Sequence, residues 1–196
     1  MQPGYSRYMR AVMLEVPEWV IEQRATMGAD RRDEVWDGVL HMVPEPTISH
    51  NDFEYELHKA LEPVARRLGL RVHQGAAIRD PAREWKNYRK PDLVIVRPEH
   101  ESDAAVEGPA EVAIEVLSPH DESRDKFPFY AERGVAEVWL IEPRTRTFEV
   151  FSLGPVGYEP LPPRDDGTVH TRLGIALSLV PGPRLRVRAD DHLVEI

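Results

Sequence analysis

Two short runs of this 196-residue chain carry a carboxylate among apolar side chains. Arg89-Lys90-Pro91-Asp92-Leu93-Val94-Ile95-Val96 sets Asp92 at the head of a strand rich in Val and Ile. Glu111-Val112-Ala113-Ile114-Glu115-Val116-Leu117-Ser118-Pro119 sets Glu115 in the middle of another. Strand alternation puts Val112, Ile114 and Val116 on one face, and Glu111, Ala113, Glu115 and Leu117 on the other. A buried carboxylate without a partner costs roughly several kcal/mol or is neutralised. If the two strands lie side by side, Asp92 and Glu115 converge on one point, where a hard divalent cation would offset their burial. Oxygen ligands suit Mg²⁺ or Mn²⁺, with the carbonyl of Val116 as a natural third ligand. The competing reading is structural: Asp92 merely opens a strand after Pro91, and Glu115 pairs with Arg124 or Arg133.

Lys126 follows in the helix that returns over the sheet after Ser118-Pro119. An ammonium beside such a site can steady charge developing on a phosphate, whereas a helix lysine by itself is ordinarily solvated. Between Arg79 and Lys90 five basic residues are mixed with Trp85 and Tyr88. Arg83, Lys86, Arg89 and Lys90 are therefore candidates to grip phosphates, with Trp85 able to stack a base. A solvated loop with Trp85 half-buried explains the same composition. His41, His58, His73, His100, His120, His170 and His192 show no metal-ligand spacing, and His50 alone reads as a helix-start residue. His120-Asp121 lies in the loop after the Glu115 strand, where Asp121 is a natural helix cap. No Gly-rich phosphate loop, nucleophile elbow or cysteine nucleophile is present, which excludes kinase, triad-hydrolase and dinucleotide readings.

Lys and Arg total 25 against 34 Asp and Glu, a formal charge of −9. That balance argues against coating nucleic acid by bulk charge and leaves room only for a local basic site. The absence of cysteine excludes disulfides and thiolate zinc sites and fits a reducing cytoplasm. No apolar run of eighteen residues exists and the amino terminus lacks a signal-like core, so no membrane role is expected. The length fits one domain over 1–196, with a core at about 30–153.

The elements that must position these residues follow from periodicity. A short helix from Val16 to Arg24 begins at Pro17, and 34–43 forms a hairpin around Asp37-Gly38. Apolar residues at Phe53, Leu57, Leu61, Val64 and Leu68 predict an amphipathic helix from His50 to about Leu68, capped by Ser49 or Asn51. Pro63 should kink or split it and Gly69 should end it. Strands are expected at 70–78, 93–96 and 112–117. A helix from Asp121 to Arg133 closed by Gly134 and a strand at 137–141 complete a β-α-β unit. Another strand, 147–153, follows a tight turn at 143–146, and the proline-rich 154–167 reads as a surface excursion. Arg184, Arg186 and Arg188 share one face of a salt-bridged edge strand. Together these predict an α/β fold, a mixed central sheet flanked by helices with extra hairpins.

Pro91-Asp92, Glu115-Val116-Leu117-Ser118-Pro119, Lys126 four before Tyr130, and Gly134-Val135 before Glu137-Val138-Trp139-Leu140 form a set. With Glu34-Val35-Trp36-Asp37-Gly38, Pro44, Pro46 and Ser49-His50 upstream, it resembles the Uma-two family of restriction endonucleases across about 30–153. That family belongs to the restriction-endonuclease-like group with the signature PD-(D/E)XK. The resemblance implies a Mg²⁺- or Mn²⁺-dependent endonuclease fold acting on nucleic acid, in most cases DNA, often as a homodimer. It carries Asp92 and Glu115 over as metal ligands and Lys126 as the signature lysine displaced onto the helix, because Leu117 stands at the usual position. It also brings Glu34, as a further acid, and His50 toward the site. The rival reading is a binding or regulatory module of the same fold that has lost cutting.

Overall fold

The computed structural model describes residues 17–83, 85–118 and 122–196; Val16, His120 and Asp121 lie outside them. Helix α1 (Glu18–Met27) follows Pro17, buries none of its residues and ends at Gly28, whose φ of 68° is left-handed. Strands β1 (Glu34–Trp36) and β2 (Val39–His41) form the expected hairpin. Asp37 and Gly38 both take positive φ, as a two-residue turn matched to strand twist requires.

Helix α2 (Ile48–Arg67) buries Phe53, Leu57, Leu61 and Val64 as the periodicity predicts, and also Glu54. Its cap is Thr47 rather than Ser49 or Asn51: Thr47 has extended backbone, and its hydroxyl accepts the His50 N–H at 3.2 Å. Pro63 does not split the helix. It has no N–H to offer the preceding turn, and beside that gap the Ala60 carbonyl accepts His192 Nε2 at 2.8 Å.

The remaining elements are β3 (Arg71–Gln74), β4 (Ile78–Arg79), β5 (Tyr88–Arg89), β6 (Leu93–Val96), β7 (Ala110–Val116), α3 (Phe127–Glu132), β8 (Glu137–Ile141), β9 (Phe148–Gly154), β10 (Gly157–Pro160), β11 (Val169–His170), β12 (Ala176–Val180), β13 (Arg184–Ala189) and β14 (His192–Glu195). The central sheet runs β10-β9-β8-β7-β6-β3, and two smaller sheets run β2-β1-β5-β4 and β11-β12-β13-β14. Among the described residues only β7 and β8 pair in parallel in the central sheet, as the β-α-β unit between them demands.

Four further expectations change. The strand 70–78 is broken near Gly75, at φ 59°, so β3 and β4 belong to different sheets. The described part of the helix after β7 is a 3₁₀ turn, Ser123–Lys126, followed by only six α-helical residues. Pro128 is tolerated because it falls in the first turn of α3. The excursion 154–167 begins as β10, where the Tyr158 hydroxyl donates to the Val135 carbonyl at 2.6 Å. β13 is an interior strand, although Arg184 and Arg186 do pair with Glu195, at 2.8 and 2.6 Å.

Alternation on the central sheet divides the apolar core. Val112, Ile114, Val116, Leu93 and Ile95 pack against α2 and against Leu177, Leu185 and Val187 of the C-terminal sheet. Ala113, Val94 and Val96 pack on the other face with Phe129 and Tyr130 of α3. Because His192 ties the C-terminal sheet to α2 through the Ala60 carbonyl, His192→Ala should lower stability by about 1 kcal/mol. Urea denaturation measures this.

Candidate active site

In the β6–β7 ladder Leu93 faces Ile114, so the next position outward sets Asp92 opposite Glu115. Asp92 then divides its oxygens between two elements. Oδ2 accepts the Val116 N–H at 2.7 Å, and Oδ1 lies 3.0 Å from His50 Nε2 in the first turn of α2.

Glu115 is 3% exposed and faces α3. Its Oε2 accepts Lys126 Nζ at 2.9 Å and Ser123 Oγ at 3.4 Å, and its Oε1 accepts the Tyr130 hydroxyl at 2.5 Å. Arg124 and Arg133 pair elsewhere, with Glu149 and Asp80. Lys126 Nζ also lies 2.9 Å from Glu34 Oε1. Glu34 is itself held, accepting the Lys90 N–H at 2.9 Å and Trp36 Nε1 at 2.7 Å. One ammonium thus bridges two buried acids from β1 and β7.

Burial pushes the Glu115 carboxyl up to about 8 against the pull of Lys126, and the charges of Asp92 and Glu34 add to the rise. Burial opposes the Lys126 charge, but Glu115 and Glu34 outweigh it and hold the ammonium well above its ordinary value. Burial also works against the His50 imidazolium, yet the hydrogen bond and charge of Asp92 raise its pKa. Glu54 is raised by burial and by Asp92, against Arg32 and His50.

Glu54 was absent from the sequence-based candidates. It stands one turn beyond His50, and the donor atoms of His50, Glu54 and Asp92 all lie within 4.8 Å of one another. Arg32 approaches the same group, 3.9 Å from both Asp92 Oδ1 and Glu54 Oε2. The i,i+4 spacing of His50 and Glu54 was the available signal. An acid on an amphipathic helix, however, reads as part of the solvated face until the fold buries it.

Four carboxylates, Glu34, Glu54, Asp92 and Glu115, therefore gather at one end of the sheet with Lys126, Arg32 and His50. The donor set is carboxylate oxygen and imidazole nitrogen with no thiolate in the chain, which fits a divalent cation.

The predicted nucleic-acid contacts separate. Arg89 is 4% exposed, its guanidinium 4.4 Å from the Trp36 ring and 4.3 Å from that of Phe129. It donates to the Val35 carbonyl and to Asn87 Oδ1, each at 3.0 Å. The guanidinium is thus stacked between two rings and buried, where the sequence alone reads as a solvated loop. Lys90 is half-buried, and its Nζ donates to the Arg31 carbonyl at 2.5 Å. Arg83 and Lys86 are exposed and line an open groove of about 440 Å³ with Asp37, Gly38 and Ala82. Arg83 is paired there with Asp37 at 2.5 Å. Among the described residues no helix is long and apolar enough to cross a membrane.

The chain is similar in fold to the crystal structure of a protein described as a "putative nuclease belonging to DUF820" from Anabaena variabilis. The match has a TM-score of 0.54 at 18% identity and covers 77% of this chain and 81% of that one. No curated protein matches. The model of the Uma2 family, described as "Putative restriction endonuclease", matches residues 20–180. The mixed central sheet, the strand-end acids and this match agree: the chain belongs to the Uma2 family and has a restriction-endonuclease-like fold.

Proposed function

We propose that this chain is a divalent-metal-dependent endonuclease that hydrolyses phosphodiester bonds in DNA, with its active site around Asp92. The observation that carries the reading is the excess of buried and half-buried acid at one strand end: Glu34, Glu54, Asp92 and Glu115 against Lys126, Arg32 and His50. Burying so many carboxylates together is unfavourable unless a cation joins them.

Asp92 is the central ligand in this proposal. On the α2 side it is joined by His50 and Glu54, whose donor atoms already lie within 4.8 Å. On the β7 side the candidates are Glu115, opposite it in register, and the Val116 carbonyl. The α2 side is favoured, because Lys126, Ser123 and Tyr130 engage the Glu115 oxygens. A divalent cation held there supplies Lewis acidity toward a phosphoryl oxygen and toward water. Lys126 presents a fixed positive charge toward the developing phosphorane charge, its position set by Glu34 and Glu115. Glu34 acts through Lys126 and is a positioning residue. Of the predicted nucleic-acid contacts, the exposure of Arg83 and Lys86 supports a role in meeting the backbone.

Two outcomes test this. Supercoiled plasmid should be nicked in Mn²⁺ or Mg²⁺ and spared in excess chelator, and Asp92→Asn should lower the rate by at least about a hundredfold. Equal nicking by wild type and Asp92→Asn would point to a contaminant, and absence of any nicking to the non-cutting module. Lys126→Met should cost about 3–5 kcal/mol in urea denaturation by leaving Glu34 and Glu115 facing without their cation. Adding Glu115→Gln to that variant should recover part of the loss.

A further inference from the structure

Arg32 closes the 3₁₀ turn Ala29–Arg32. The next residue fixes that turn: Asp33 accepts Arg24 Nε at 2.7 Å and the Val43 N–H at 3.1 Å. The Arg32 head is held differently. Its side chain is 37% exposed, and its nitrogens lie 3.9 Å from Asp92 Oδ1, 3.9 Å from Glu54 Oε2 and 3.4 Å from Asn51 Oδ1. These are longer than charge-assisted hydrogen bonds, which run near 2.7–2.9 Å. The neighbouring cations make close contacts: Lys126 sits 2.9 Å from each of two acids, and Lys90 donates to a carbonyl at 2.5 Å. An anchored backbone with a loosely held head, between the two carboxylates that α2 and β6 offer, is the geometry of an exchangeable counter-ion.

We infer that Arg32 is the counter-ion that a divalent cation displaces from Asp92 and Glu54, and that the displaced guanidinium is the group that meets the phosphodiester. The inference rests on the metal-site reading above. With His50 counted as the neutral imidazole that a metal ligand must be, two carboxylates and one guanidinium leave this corner one negative charge in excess. A divalent ion turns that into one positive charge in excess, located on Arg32 at the surface. A phosphodiester carries one negative charge and restores balance, and a guanidinium can grip two of its oxygens at once. DNA is therefore held better after the ion has entered than before, which orders the two binding events.

The test uses the full chain as wild type, Arg32→Gln and Arg32→Lys, with matched circular dichroism as the folding check. Mn²⁺ binding is measured by calorimetry, and binding of labelled duplex DNA by anisotropy in Ca²⁺ with cleavage suppressed. Arg32→Gln should bind Mn²⁺ about tenfold more tightly, because the competing charge is gone, and bind DNA about tenfold more weakly. Arg32→Lys should return Mn²⁺ affinity toward wild type. Equal or weaker Mn²⁺ binding by Arg32→Gln would overturn the counter-ion role, and unchanged DNA binding would overturn the phosphate contact. If wild type itself binds no Mn²⁺, the metal-site reading fails and the inference with it. If wild type binds and Arg32→Gln matches it, the inference alone fails.

Discussion

The carboxylate of Asp92 is the joint on which this end of the molecule depends. One oxygen accepts the Val116 N–H at the last residue of β7, and the other meets His50 in the first turn of α2. The side chain thus ties the sheet to the helix that covers one of its faces. His50 is placed for this by Thr47, whose hydroxyl takes the His50 N–H. A change at Asp92 would reach the strand end and the helix start together, besides removing a charge from the site. The apolar packing of α2 through Phe53, Leu57 and Leu61 holds Glu54 in the same corner.

A second assembly stands across the sheet end. Glu34, Lys126 and Glu115 form a buried acid-base-acid bridge, with Tyr130 and Trp36 supplying further donors. Trp36 in turn lies between His41, stacked at 3.9 Å, and the guanidinium of Arg89. The small sheet that carries Glu34 is therefore wedged against α3 through Arg89 and Phe129. The same Glu-Val-Trp triplet recurs in β8, where Trp139 Nε1 donates to Glu137 at 3.0 Å. Two residues apart on a strand, the acid and the indole share one face, so the pairing follows from pleat geometry. At β1 it serves the site, and at β8 it serves a contact to the Arg172 backbone.

Much of this architecture was legible in the chain itself. Alternation on β7 gave the correct faces for Ile114 and Glu115, and Asp37-Gly38 marked its hairpin. The crossover from β7 to β8 required the parallel pair that is seen. The residues singled out for chemistry, Glu34, His50, Asp92, Glu115 and Lys126, meet in space. What was not legible depended on contacts between distant segments. Arg89 lies in a basic loop and reads as surface, and only Trp36 and Phe129 closing over it bury the cation. Glu54 reads as one more polar residue on an amphipathic helix until Asp92 arrives beside it. Pro63 predicts a broken helix, and nothing local announces that His192 will come from the C-terminal sheet to serve the next carbonyl.

The central claim is that Asp92 shares a divalent cation with the α2 side chains His50 and Glu54. A crystal grown from the full chain and soaked in Mn²⁺ would test it directly through an anomalous difference map. The account predicts one strong peak within coordination distance of Asp92, His50 Nε2 and the Glu54 carboxylate. A peak bound by Glu115 and the Val116 carbonyl away from His50 and Glu54, or no ordered ion beside Asp92 at saturating Mn²⁺, would contradict it.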